Sequence, residues 1–109
     1  MDGVMTDLEM REFLAQKMDL PNIQNHMQSV TFTSPVSGWP RVYDPFHDDH
    51  QMAALVKHLH LSISCYRDDI DGWMWMVQQG AGSSVADYNL NSAVVRCAVN
   101  LFSEKKMAA

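Results

Sequence analysis

Positive charge is scarce in this sequence and nowhere gathered. Eight Lys and Arg stand against thirteen Asp and Glu, a formal charge of −5 over 109 residues. The cations Arg11, Lys17, Arg41, Lys57, Arg67, Arg96, Lys105 and Lys106 are spread along the chain. Affinity for a phosphate backbone comes from clustered cations displacing condensed counterions. General DNA or RNA binding is therefore excluded unless folding or oligomerisation assembles a patch. Cysteine is equally sparse. Cys65 and Cys97 form no CxxC and no disulfide framework, each lies in an apolar pattern, and a reducing cytoplasm is the natural compartment. No apolar run approaches the roughly 20 residues that span a bilayer. The opening MDGVMTDLEM is acidic and has no continuous apolar core, so it does not read as a signal peptide. Five Gly, four Pro and an apolar fraction of 47% leave a globular composition, with length for one domain, residues 1–109.

Periodicity supplies the elements. Thr6-Asp7-Leu8-Glu9 has the form of a capping box, and Met10, Phe13, Leu14 and Met18 follow as one apolar stripe. Pro21 pushes the residue before it out of helical geometry and ends that helix. Residues 22–45 lack helical period. Val30-Thr31-Phe32-Thr33 and Arg41-Val42-Tyr43 read as short extended segments around SPVSGWP, either an irregular loop or an extra hairpin. A second helix begins near Asp48, with Met52, Leu55, Val56 and Leu59 on its apolar face. Leu61, Ile63 and Cys65 then alternate with Ser62, Ser64 and Tyr66, and Trp73 to Val77 returns after the turn Asp68–Gly72, a β-hairpin. GAGSS at 80–84 reads as a loop. The last helix runs from about Asn89 to Glu104, with Leu90, Val94, Cys97, Ala98, Leu101 and Phe102 inward and Arg96, Asn100 and Ser103 on a polar flank. This order predicts an α+β fold of α-β-β-α sandwich type, an antiparallel sheet of about two to four strands covered by about three helices.

The stretches PFHDDHQMAALVKHLHLSI, GWMWM and NSAVVRCAVNLF resemble the phage ABA-sandwich domain family, which includes NinX-like proteins. Phe13 to Met18 stands for that family's opening-helix motif, and Phe46-His47-Asp48-Asp49 for its aromatic-Ser-Thr-Asp entry to the second helix. Ala93 to Ala98 stands for its closing helix of A-x-x-R-A-x-L type. His47 departs from the Ser-Thr of the pattern. The resemblance implies a small phage or prophage accessory protein of the host cytoplasm with an α/β sandwich, and it carries over no catalytic residue.

FHDDHQM, residues 46–52, is the densest chemistry in the chain. Zinc needs three or four ligands converging at about 2.0–2.3 Å. His47 and His50 have the i, i+3 spacing of one helix face, with Asp48 or Asp49 as a possible carboxylate. His58 lies about 16 Å further along a helix axis and cannot join them. His58 and His60 lack a third neighbour, and His26 is unplaced. As a helix start the same residues are fully accounted for. Asp48 caps, Gln51 follows three residues on, Asp49 adds charge to the first turn, and His50 faces away from Met52. This reading leaves His47 and His50 as an exposed corner for a partner. Arg67 to Gln78 fails as a calcium loop because Arg67 and Gln78 would occupy its first and last ligand positions. GAGSS carries neither the lysine of a phosphate loop nor a nucleophile elbow.

No catalytic, cofactor-binding or metal-binding residue is therefore assigned. In a strand, Trp73 and Trp75 face one way and Met74 and Met76 the other. Two apolar faces fit a sheet covered on both sides, or one face left open to a partner or a second copy. The first expectation for function is a non-enzymatic protein that binds a host protein or complex, with anti-defence roles such as CRISPR inhibition implied by the resemblance alone. The second is an oligomer that sequesters a nucleotide signal, which needs aromatic stacking beside cations. Trp39, Arg41, Tyr43, Tyr66 and Arg67 are the available residues.

Overall fold

A computed structural model of the chain describes residues 5–70, 72–80 and 84–108, with the side chains of 104–108 excepted. Residues 1–4 of the acidic opening, Asp71 of the hairpin turn, and Ala81 to Ser83 of the glycine-rich loop lie outside the described residues. The chain divides into two compact units, Met1–Asp44 and Pro45–Ala109.

The first unit pairs one helix with one small sheet. Helix α1 (Asp7–Lys17) opens with both halves of the capping box. The Glu9 amide donates to Thr6 Oγ1 at 3.2 Å, and the Thr6 amide donates to Glu9 Oε1 at 2.8 Å. The Thr6 amide first, and the Thr6 hydroxyl second, hold the Glu9 carboxyl below its ordinary pKa. The helix stops two residues before proline restriction would act. Asp19 adopts left-handed backbone (φ 56°), its amide donates to Gln16 O, and the Leu20 amide donates to Ala15 O. That is a Schellman closure with aspartate where glycine is usual.

Three antiparallel strands follow in the order β1-β2-β3: β1 (Gln24–His26), β2 (Ser29–Thr33) and β3 (Pro40–Val42). The segment expected as a loop or hairpin is thus a complete meander. β2 alternates buried Val30 and Phe32 with half-buried neighbours, and α1 packs against it. Tyr43, just past β3, lies opposite Val30, with its amide donating to Val30 O at 2.7 Å. Its ring meets Phe32 edge-on at 6.1 Å. Leu14 and Ala15 are fully buried. Asn25 donates to Glu12 Oε1 at 2.9 Å, and Arg11 Nε stands 3.3 Å from Asp44 Oδ1.

The second unit contains helix α2 (Asp49–Leu59), strands β4 (Ser62–Asp68), β5 (Gly72–Gln78) and β6 (Ser84–Asp87), and helix α3 (Leu90–Ala108). The expected hairpin is present, with seven consecutive pairs from Ser62↔Gln78 to Asp68↔Gly72. β6 adds a third strand that alternation did not reveal. Asn89 caps α3 through Oδ1, which accepts from the Ser92 amide at 3.0 Å. On α3, Ala93, Val94, Val95, Cys97, Ala98, Leu101 and Phe102 are all buried. Three consecutive buried residues need cover on two sides of a helix, since neighbours in sequence stand 100° apart. β5 and β6 supply one side and α2 the other. Asn91 Nδ2 donates to Pro45 O and Asp49 Oδ1, both at 3.1 Å, and the His58 and Phe102 rings lie 6.0 Å apart. The two starts meet, and the end of α2 meets α3 further along its length, so α2 and α3 run in the same direction.

The architecture is α+β, with three helices and two three-stranded antiparallel sheets among the described residues. α2 also ends in a Schellman closure on a non-glycine residue, His60 (φ 53°). The Leu61 amide donates to Val56 O at 3.0 Å. Left-handed backbone costs an L side chain roughly 1–2 kcal/mol, part of it offset by the greater unfolded-state freedom of glycine. His60→Gly is expected to raise the unfolding free energy by about 0.5–1 kcal/mol in urea titration. A loss of stability instead would show that the imidazole makes a contact worth more than the strain.

Candidate interaction surface

The residues of FHDDHQM serve the helix start. Asp48 Oδ1 accepts from the Gln51 amide at 3.0 Å, and Asp49 Oδ1 accepts from Asn91. His47, in the turn before α2, and His50, in its first turn, are exposed. Among the described residues no three His, Cys, Asp or Glu side chains converge on one point.

The aromatic and basic residues divide between the two units. Trp39, Arg41 and Tyr43 belong to the first, and Tyr66 and Arg67, on β4, belong to the second. Tyr43 is only 3% exposed and forms part of the core with Val30 and Phe32. Its hydroxyl is buried with no hydrogen-bond partner among the described residues. Burial pushes the phenol far above its ordinary pKa of 10.0. The structure thus puts Tyr43 in the core of the first unit, where a partner cannot stack on it, whereas Trp39 and Arg41 are exposed.

That surface is built by Ser34. Its amide donates to Trp39 O at 2.9 Å and its carbonyl accepts from the Gly38 amide at 2.8 Å. Its hydroxyl, buried under the turn, accepts from the amides of Val36 and Ser37 at 3.3 and 3.4 Å. Ser37 Oγ in turn accepts from the Trp39 amide at 3.2 Å. Gly38 takes φ 77°, backbone that a side chain would strain. With the amides of Val36, Ser37, Gly38 and Trp39 all bonded within it, the turn holds Val36 at 95% and Trp39 at 73% exposure. Arg41, two residues beyond Trp39 and within β3, is exposed as well. Sequence reasoning named Trp39 and Arg41 but missed Val36. A valine inside a Ser-Pro…Ser-Gly turn is the signal, because nothing in turn formation calls for it.

In the second unit, one face of the sheet carries Ile63, Cys65, Arg67, Trp73, Trp75, Val77, Val85 and Asp87, as the pairing register requires. Arg96 Nη1 lies 3.2 Å from Asp87 Oδ2, which places α3 over this face, and Val77 beneath is fully buried. Trp75, Met74 and Met76 are half-buried, whereas Trp73 is exposed. Cover fails at β4, where every residue from Ser62 to Arg67 is exposed on both faces. Cys97 is buried as a small hydrophobe in α3, but Cys65, for which its alternation suggested the same, is exposed. The physical reason is position, since β4 is the outer strand of its sheet and α3 packs on β5 and β6.

No helix among the described residues is long and apolar enough to cross a membrane. No family model, curated protein or solved structure matches the chain.

Two substitutions test these assignments. Asp48→Ala is expected to cost about 1 kcal/mol and Asp48→Ser only a few tenths, the pattern of an N-cap. Equal losses would show that the carboxylate does more than cap. Tyr43→Phe is expected to stabilise the chain by about 1 kcal/mol at neutral pH, because it removes an unsatisfied buried hydroxyl. The raised native pKa of Tyr43 also makes a contribution to stability that is present below the unfolded value near pH 10 and lost as pH rises above it. Tyr43→Phe should flatten that alkaline loss in urea titrations across pH. A destabilised variant would reveal a bonded hydroxyl.

Proposed function

We propose that this chain is a non-enzymatic binding protein whose partner is another protein, docked on the turn between Ser34 and Val42. The observation that carries the reading is the exposure of Val36 and Trp39 on a turn whose amides are already bonded from within. Exposed tryptophan and valine gain free energy when covered, and a turn held by its own hydrogen bonds loses little entropy on binding. Arg41, exposed two residues after Trp39 in the sequence, adds a residue type enriched with tryptophan in interface hot spots. The resemblance of residues 45–63, 72–76 and 91–102 to phage ABA-sandwich proteins supports a phage accessory role in the host cytoplasm. In that role the partner is a host protein or complex, such as a component of antiviral defence. The alternative, sequestration of a nucleotide signal, requires cations and aromatic faces together. The burial of Tyr43 weakens it.

The test is capture of a host protein on the immobilised full chain, followed by affinity measurement with the purified partner. Trp39→Ala is expected to weaken binding roughly thirtyfold, the scale of a hot-spot residue, and Arg41→Ala by a similar or smaller factor. Tyr43→Phe should leave affinity unchanged. Binding indifferent to Trp39→Ala would overturn the assignment of the surface. A nucleotide retained in native mass spectrometry would favour sequestration instead.

A further inference from the structure

β4 differs from every other strand edge among the described residues. The edges β1, β3 and β6 span three, three and four residues, whereas β4 spans seven. In an antiparallel ladder alternate residues direct both their N–H and C=O groups to the same side. Half of β4 therefore bonds to β5, and the other half offers its groups outward along the free edge. Natural edges of this length are blunted by proline, charged side chains (lysine above all), a bulge or covering chain. β4 reads Ser-Ile-Ser-Cys-Tyr-Arg-Asp, with no proline or lysine, its two charges confined to its last two residues, and its seven pairs with β5 run without a slip. Exposure of Ser62 to Arg67 shows the edge uncovered.

We infer that this edge pairs with the β4 edge of a second copy of the chain, making a continuous six-stranded antiparallel sheet around a two-fold axis at Cys65. The register follows from the strand itself. An antiparallel pair related by a two-fold axis normal to the sheet continues each face into the same face of its mate, so residue numbers across the seam add to an even sum. Full overlap of residues 62–68 makes Cys65, the midpoint, its own opposite. Ile63 then opposes Arg67, Ser64 opposes Tyr66, and Ser62 opposes Asp68. No like charges meet, and each Asp68 carboxylate lies beside a hydroxyl donor. Sliding by two residues per strand to centre on Arg67 would set two guanidinium groups together and halve the overlap.

The helices leave room for this seam. Strands stand about 4.8 Å apart, and α3 packs over β5 and β6. Its axis thus lies about two strand spacings from the two-fold axis. The two copies of α3 are then separated by roughly 19 Å, twice the 8–10 Å of packed helices. On the α3 side, Ile63 gains the Arg67 stem of the mate, flanked by the mate's own Trp73. On the other side, Tyr66 lies across Ser64 beside Met76. The pairing thus covers apolar surface that one chain leaves in water.

Sedimentation equilibrium of the full chain should give twice the monomer mass. Diamide should link the two Cys65 thiols in minutes, each thiol losing its proton and the pair giving two electrons to the diazene, which becomes the hydrazine. Urea-unfolded chain should link far more slowly at equal concentration. Cys65→Ser should remain dimeric but abolish the cross-link. Cys65→Lys, which sets two ammonium groups opposite each other, should sediment as a monomer with an unchanged circular dichroism spectrum. If it fails to fold, Cys65→Asp, which sets two carboxylates opposite each other, serves in its place. A wild-type monomer at hundreds of micromolar would overturn the inference, as would a dimer that survives either charged substitution. A strand from a different protein on the edge would show itself as β4-dependent capture by a wild-type chain that is monomeric alone, which also overturns the second-copy assignment. Trp39→Ala should leave the dimer intact, so this result and the partner assignment stand or fall separately.

Discussion

The second unit is organised by the need to bury α3 on two sides. Its buried residues fall at 93, 94, 95, 97, 98, 101 and 102, more than half the circumference of the helix. A single sheet could cover only about a third of that girth. One side goes to β5 and β6, where Val77 is fully buried, and the other to α2, whose Leu55 and Leu59 are buried. The small side chains of Ala93 and Ala98 permit close approach. Because cover is spent on β5 and β6, β4 remains outside the helix's reach. The exposure of Ile63, Cys65 and Tyr66 is thus a consequence of where α3 must lie.

In the first unit the limiting quantity is size. Short strands give few ladder bonds, so side chains close the remaining polar groups. Asn25 reaches Glu12, Ser34 closes its turn, Asn22 donates to Thr33 Oγ1 at 3.2 Å, and Arg11 pairs with Asp44. The Ser34 turn shows how this builds a surface. A turn that bonds internally needs nothing from the residues at its crest, so Val36 and Trp39 are free of structural duty. Among the described residues the hydroxyl of Tyr43 departs from this closure, and its retention is not explained by packing against Phe32.

What was legible in the sequence was local. The Thr6–Glu9 box, the Asp48 cap and the 62–78 hairpin rest on contacts within a few residues or on alternation between two adjacent strands, and each is present. β1 and β6 were not legible, since Gln-Asn-His and Ser-Val-Ala-Asp have no strand pattern of their own. Both become strands through pairing with β2 and β5. The closures at Asp19 and His60 lacked the glycine that announces a left-handed residue. Tyr43 was grouped with Trp39 and Arg41 for its chemistry, whereas its depth comes from lying opposite Val30. The division of six strands into two separate sheets follows from the pairings between strands, which no single strand's pattern displays.

Cys65 shows most clearly what alternation can and cannot say. Ser-Ile-Ser-Cys-Tyr has the period of a strand with one polar and one apolar face, and the period is correct. Whether that apolar face is buried depends on the neighbours of the sheet, which alternation does not encode. A strand inside a sheet with Ile63 and Cys65 on one face would need only a helix to cover them. A strand at the edge has a second deficit, its unpaired amides and carbonyls, and a helix over the face does nothing for those. β1, β3 and β6 limit that deficit by being short, and β3 adds a proline at its start. β4 has neither device, and only another strand can relieve both of its deficits at once.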